Sequence, residues 1–243
     1  MFEIGPDTKI ALETVGRHEA LACTIALLAT AENPPTSYNG AAAFVTSTTG
    51  VPIYAQTTKR IMTSLSRHPG LTLTENNIHT LDREGVKERL LPCIGTILKW
   101  SSEQSDDDIS AVRVLGNSPI SCLNLYARLQ STDAGLCVSE MAHTGEDSCT
   151  SSHLRLIRHD VLSPVSVRPI DSRLKSTKYT VNPNYREPLD DLLHRIDNLN
   201  NPATHGQLRG YARELATDPE TMRRLMQKGI DHSRKRPSSV AKS

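Results

Sequence analysis

The longest apolar pattern of the sequence lies close to its first residue and has the spacing of a helix. Between residues 8 and 31 the apolar side chains follow roughly the spacing of one helix face. They are Ile10, Leu12, Val15, Ala22, Ile25, Leu27 and Leu28. Asn33, Pro34 and Pro35 follow, and proline cannot continue a helix because it has no backbone N–H group. The pattern predicts one helix over residues 8–31.

The middle of the chain alternates between β-type and helical patterns. The segment YNGAAAFVTSTTGVPIYAQ, residues 38–56, has two β-type runs around Thr48-Thr49-Gly50 and predicts a hairpin. Helical spacing follows over residues 57–65. It returns over residues 82–100, where Pro92 predicts a kink or a break.

A strand, a turn and a helix are predicted next. Residues 109–115 form the strand, and Ser118 followed by Pro119 is typical of a helix start, with the helix continuing to about residue 129. Short strands are predicted over residues 136–141 and 153–158. The order of elements favours an α/β sandwich.

The character of the chain changes near Pro169. Residues 1–168 are predicted to form the α/β domain, and residues 169–188 are polar and proline-bracketed, as in a linker. Apolar stripes predict a helical extension over residues 189–231, packed on itself or back onto the first domain. Residues 232–243 are predicted to be a disordered basic tail because they have few apolar side chains.

Charge and cysteine content limit the classes of function. The 243 residues contain 28 Lys and Arg against 27 Asp and Glu, so a net charge of +1 gives no general case for nucleic-acid or membrane binding. Nucleic-acid binding would need a local basic patch, and none is expected before the C-terminus. The apolar run at residues 21–31 is too short to span a membrane. Five irregularly spaced cysteines predict reduced thiols in an intracellular protein, cytoplasmic or nuclear.

Three segments carry a resemblance to a known family. They are the predicted hairpin at residues 38–55, LGNSPISCLNL at residues 115–125 and SEMAHTGED at residues 139–147. Together they resemble the cytidine deaminase superfamily, in particular its divergent microbial and fungal deaminase-like branch. The resemblance covers roughly residues 8–165 and implies a three-layer α/β/α sandwich. It also implies a nucleobase or nucleotide substrate.

The resemblance further implies a zinc site, and this sequence departs from the motif. Such sites need one His or Cys and two further Cys around the ion, with a Glu that moves protons. Cys122 matches the first cysteine of the pair, but Leu125 stands at the second. His79 is the candidate third ligand and Glu88 the candidate proton carrier, although they do not form a His-x-Glu motif. The resemblance therefore implies His79 and Cys122 as metal ligands, with Cys93 or Cys137 as a replacement ligand. It implies Glu88, Cys122 and His143 as catalytic residues, in an enzyme that is divergent or catalytically degenerate.

Two other classes of function remain open. In the first, Cys122 at a helix start is the nucleophile of a deamidase or cysteine hydrolase, with His143 as base and Asp133 or Asp147 orienting it. In the second, the protein is a non-enzymatic interaction module that binds a protein partner through its C-terminal helices. The basic run at residues 234–237 is then a candidate nuclear-import signal, and Ser238 or Ser239 a phosphorylation site. For Cys122 the plain alternative is a buried structural thiol.

Overall fold

A computed structural model of the protein describes residues 4–75, 77–104, 119–132, 135–137, 140–141, 156–157, 160–165 and 177–234. Their helices are α1 (Pro6–Arg17), α2 (Glu19–Thr30), α3 (Tyr38–Thr49), α4 (Ala55–Leu65), α5 (Arg83–Gly85), α6 (Leu91–Glu103), α7 (Pro119–Gln130), α8 (Pro183–Leu199), α9 (His205–Ala216) and α10 (Pro219–Arg234). Their strands are β1 (Thr72–Glu75), β2 (Ile78–Leu81), β3 (Leu136–Cys137), β4 (Leu162–Val165) and β5 (Lys178–Val181). Helices therefore dominate a mixed α/β chain.

The first apolar segment is helical as predicted, but it is two helices and not one. His18 separates α1 from α2 with an extended backbone, φ −171° and ψ 117°. Its Nδ1 accepts a hydrogen bond from the N–H of Ala20 at 3.2 Å and so caps the start of α2. Apolar spacing alone does not show the break, because both helices bury the same kind of face.

The predicted hairpin over residues 38–56 is wrong. Residues 38–49 form α3, which begins after Ser37, whose Oγ accepts from the N–H of Gly40 at 3.0 Å. It ends at Gly50, whose φ of 71° is the left-handed conformation that glycine adopts without strain. The β-branched Thr48 and Thr49 fit the helix because their hydroxyls donate to carbonyls one turn earlier, both at 2.8 Å.

A true hairpin lies further along the chain. Strands β1 and β2 pair antiparallel, with Thr72 opposite Leu81 and Glu75 opposite Ile78. The two strands are two residues apart in the sequence, and the φ of Asn77, just before β2, is 62°. After the hairpin, Arg83 donates to the carbonyls of Ala29 and Ala31 at the end of α2.

The segment around Pro92 changes helix type where the sequence predicts a kink or a break. The short α5 leads into a π-helical turn, Val86–Leu90, which is followed by α6 with Pro92 in its first turn. A proline is tolerated there because the first N–H groups of a helix have no intrahelical partner. The wide turn thus accommodates the proline without ending the helical path.

The second sheet has the order β3-β5-β4 and is antiparallel throughout. The strand predicted over residues 136–141 is present at Leu136–Cys137. The strand predicted over residues 109–115 lies outside the described residues, and residues 156 and 157 are helical where a strand was expected. The helix predicted from Pro119 is confirmed as α7. Mixed α/β content is thus present, while the described residues do not confirm a three-layer sandwich.

The C-terminal helices pack onto the first helices instead of standing apart. Helix α9 lies against α6, where Gly95 approaches Ala212 closely, and the indole Nε1 of buried Trp100 donates to the Pro188 carbonyl at 2.9 Å. The predicted linker at residues 169–188 in fact includes β5 and the start of α8, and its residues 169–176 lie outside the described residues. One continuous apolar cluster runs through all these helices.

A polar contact lies inside this cluster where α2, α6 and α10 meet. The fully buried carboxylate of Glu19 accepts from the Ser101 hydroxyl at 2.5 Å. Lys228, also buried, donates to the Ser101 carbonyl at 3.4 Å. Gly229 lets α10 approach α2, since an added Cβ would stand 3.1 Å from the Glu19 Cβ.

None of the described helices has the length and apolar character needed to cross a membrane.

Candidate functional site

Helices α3 and α4 are joined by a short and well-fixed turn. Residues 50–54 form it, beginning with Gly50 in the left-handed conformation. Inside the turn, the Val51 N–H donates to the Thr49 hydroxyl at 3.2 Å, and the Ile53 N–H donates to the Thr46 hydroxyl at 3.0 Å. Val51 is buried and anchors the turn to the core. Two helices and a turn held in this way form a rigid unit, because side chains of α3 satisfy the turn's own N–H groups.

Helix α4 has one buried face and one polar outer face. Thr58, Ile61, Met62 and Leu65 are its buried residues. The exposed side chains of Gln56, Lys59 and Thr63 lie on the outer face. Arg67, exposed two residues after the helix ends, continues the same row. The helix therefore presents to solvent side chains that donate hydrogen bonds.

The hairpin is fixed beside this helical unit and leaves apolar side chains exposed. The Tyr38 hydroxyl accepts from the backbone N–H of His79 at 3.0 Å, which ties β2 to the first residue of α3. Helix α4 packs against β2 from the other side. Leu73 and Ile78 share the opposite face of the hairpin and are 55% and 45% exposed. That face is available for contact with another molecule.

The local charge of this region differs from that of the whole chain. Residues 33–74 contain no Asp or Glu, while they contain Lys59, Arg60 and Arg67. In the described part of the chain none of these three cations forms an ion pair. The net charge of +1 therefore conceals a local excess of positive charge in this region, which the expectation of no basic patch before the C-terminus leaves out of account.

The structure does not bring the predicted site residues together. His79 lies in the hairpin, where its Nδ1 hydrogen-bonds the Thr74 hydroxyl at 2.8 Å. Glu88 is exposed on the π-helical turn. Cys122 is 2% exposed in α7 and faces Leu156, Val161 and Leu189 across a void of only about 10 Å³. His143 lies outside the described residues, as do Asp133 and Asp147.

The remaining cysteines considered as zinc ligands are also separated. Cys93 in α6 lies beside Thr8, with Sγ and Oγ1 3.6 Å apart, and burial raises the pKa of its thiol to about 11. Cys137 lies in β3. Across the ranges given above, no three His, Cys, Asp or Glu side chains are grouped as metal ligands would be. Zinc binding and thiol catalysis stay predictions that no described contact supports.

The chain matches no protein-family model, no curated protein and no solved structure. The site must therefore be interpreted from its own geometry. The sequence pattern does not predict the unit of α3, turn and α4, because residues 38–56 have the composition of strands and α3 is therefore not expected. Two signals in the sequence point to the site: a stretch of residues without acids, and a glycine between two amphipathic segments.

Proposed function

We propose that the protein binds double-stranded DNA through α3, the turn, α4 and the β1–β2 hairpin. Two helices joined by a short glycine-containing turn form the helix-turn-helix arrangement, in which the second helix enters the major groove. Here α4 is that second helix. The outer row of Gln56, Lys59, Thr63 and Arg67, in a stretch without acids, is the observation that carries the proposal.

Each part of this surface has a suitable role in the proposed complex. Gln56, near the start of α4, is of the residue type that pairs with adenine in the major groove. Lys59 and Arg67 are of the residue types that bind phosphates or guanine. The backbone N–H groups at the start of α3 can donate hydrogen bonds to a phosphate oxygen. The exposed Leu73 and Ile78 of the hairpin suit contact with sugars at a groove edge. Glu75 stands opposite Ile78 on the same hairpin face, so its charge opposes the attraction to phosphates and the hairpin would contribute through its apolar side chains.

The test is a binding measurement with a matched charge control. Fluorescence anisotropy with labelled 30-base-pair duplexes from a randomised pool measures affinity between 50 and 200 mM salt. The double change Lys59→Gln and Arg67→Gln is expected to weaken binding at least ~10-fold and to reduce the salt slope by about 2, since each phosphate contact contributes about 0.9. The change Arg213→Gln removes an exposed cation from α9, outside the proposed interface, and is expected to leave both quantities nearly unchanged.

Base recognition is tested separately from charge. Selection from the random pool gives the base preference at each position of the bound duplex. Gln56→Ala is expected to weaken that preference at one base-pair position and to leave the salt dependence of the affinity unchanged. The proposal is overturned if the protein binds no duplex at 50 mM salt. It is equally overturned if Arg213→Gln weakens binding as much as the double change in α4, or if single-stranded DNA binds more tightly than the duplex.

A further inference from the structure

A large half-open cleft lies behind the proposed recognition helix. Helices α1 and α2 form one wall, the turn and the inner side of α4 form the other, and Ile230 of α10 contributes to its lining. Its volume is about 610 Å³, which lies in the range of small-molecule sites. The lining is mainly apolar and includes Ile10, Ile25 and Ile61.

Two opposite charges reach this apolar cleft from different elements. Glu13 comes from α1 and Arg60 from α4. Within the described residues neither forms an ion pair, so no ion pair competes with a ligand for them. Burial lowers the pKa of His18, which also lines the cleft, so its imidazole is neutral near pH 7 and does not compete with Arg60 for an anionic ligand.

We propose that the cleft binds an apolar zwitterion of amino-acid size, with its carboxylate on Arg60, its ammonium group on Glu13 and its side chain against the isoleucines. A ligand with only a carboxylate would bury Glu13 without a partner, and a ligand with only an amine would do the same to Arg60. Such burial is unfavourable because an unpaired charge loses its water. A zwitterion satisfies both groups, and an apolar side chain adds the burial that the lining allows.

Occupation of the cleft also has a consequence for DNA binding. Arg60 belongs to α4, next to Lys59 of the outer row, so a bound carboxylate neutralises a cation of the proposed recognition helix, while the ammonium group neutralises Glu13 of α1, which is not part of the proposed DNA interface. The ligand is therefore expected to weaken DNA binding. This regulatory part rests on the proposed function, whereas ligand binding by the cleft does not.

Calorimetric titration of the full chain tests the site directly. The probes are L-leucine, L-phenylalanine and L-tryptophan, together with tryptamine and indole-3-propionate, which each lack one charge of tryptophan. At least one amino acid is expected to bind with 1:1 stoichiometry. Either single-charge analogue is expected to bind at least ~10-fold more weakly than tryptophan, because one charged hydrogen bond is lost.

Variants connect the binding to the cleft. Glu13→Gln is expected to weaken amino-acid binding roughly 10- to 100-fold. Glu32→Gln, an exposed carboxylate that does not line the cleft, is the matched control and is expected to bind normally. The site is overturned if none of the three amino acids shows saturable binding up to about 10 mM. It is also overturned if both single-charge analogues bind as tightly as tryptophan, or if Glu13→Gln changes nothing.

The DNA measurement repeated with saturating ligand separates the two proposals. Weaker DNA binding with ligand in the unaltered protein, and no effect of the ligand in Glu13→Gln, support regulation. Unchanged DNA binding by the liganded protein overturns the regulatory part alone. A protein that binds the amino acid but no duplex overturns the proposed function and leaves the cleft as a ligand site.

Discussion

Individual thiols are protected by their surroundings in this fold. Cys23 is fully buried in α2, close to the carboxylate of Glu19. Burial is the larger cause that raises the pKa of its thiol, and the negative charge of Glu19 is the smaller one. Cys93 is 6% exposed, and its thiol pKa is about 11. The thiolate is the reactive form of cysteine, so both residues are chemically quiet near neutral pH.

We expect slow alkylation of Cys93 in the folded protein. At pH 7.5 a pKa of about 11 leaves roughly 300-fold less thiolate than the ordinary value of about 8.5, and burial slows access further. Iodoacetamide labelling followed by peptide mass spectrometry measures the rate at each cysteine. The guanidinium-unfolded chain provides the reference rate, and equal rates for Cys93 in both states would contradict this prediction.

The candidate zinc and thiol sites could not be located from the sequence. His79 and Cys122 are chemically suitable ligands, but suitability says nothing about which residues meet in space. The Nδ1 of His79 forms a hydrogen bond with the Thr74 hydroxyl in the hairpin, and Cys122 lies among apolar side chains. By contrast, Lys59 and Arg67 were visible in the sequence, and only their position on one exposed row gives them significance.

At the scale of elements, helices with a clear apolar stripe were predicted well. Residues 57–65 and the helix from Pro119 are helical in the structure as in the prediction, because amphipathic spacing and a proline at a helix start are local signals. Helix α3 was missed because Phe44, Val45 and its threonines favour strands locally. Its Ser37 cap, its Gly50 end and its packing against α4 and α10 outweigh that preference.

Close packing of α6 against α9 leads to a stability prediction. A Cβ added to Gly95 would stand 2.7 Å from the backbone N of Ala212 and 2.8 Å from its Cβ. We expect Gly95→Ala to lower the free energy of unfolding by about 1–3 kcal/mol, the usual cost of overpacking. Urea unfolding followed by circular dichroism measures the change.

Helix α9 supplies the control for this substitution. An added Cβ at Gly210 meets nothing within 4 Å, so Gly210→Ala is expected to raise the free energy of unfolding by about 0.5–1 kcal/mol through helix propensity. The interpretation fails if the two alanine variants change stability in the same direction and by similar amounts.

At the scale of the whole molecule, the C-terminal helices are part of the core and not an appendage. The sequence correctly indicated helices after residue 189, but it could not show that α9 covers α6 or that Trp100 bonds α8. Such contacts join residues far apart in the chain, and periodicity carries no information about partners. The predicted boundary at residue 169 rests on a change of composition, which carries no information about packing between the segments on either side.

We expect the full chain to unfold as one cooperative unit. Fluorescence of Trp100, the only tryptophan, and circular dichroism should give coincident transitions. A chain ending at residue 182 loses α8, α9 and α10 and exposes apolar side chains of α2 and α6, so it should show no cooperative transition. A truncated chain that melts cooperatively at the same temperature as the full chain would contradict this prediction.

The contact between Glu19, Ser101 and Lys228 has a consequence for how the protein is made. Glu19 belongs to α2 and Lys228 to α10, the last described helix, so most of the described chain separates the two residues that contact Ser101. The contacts between α10 and α2 form only once translation has delivered α10, and until then the part of α2 that α10 covers stays exposed on the nascent chain.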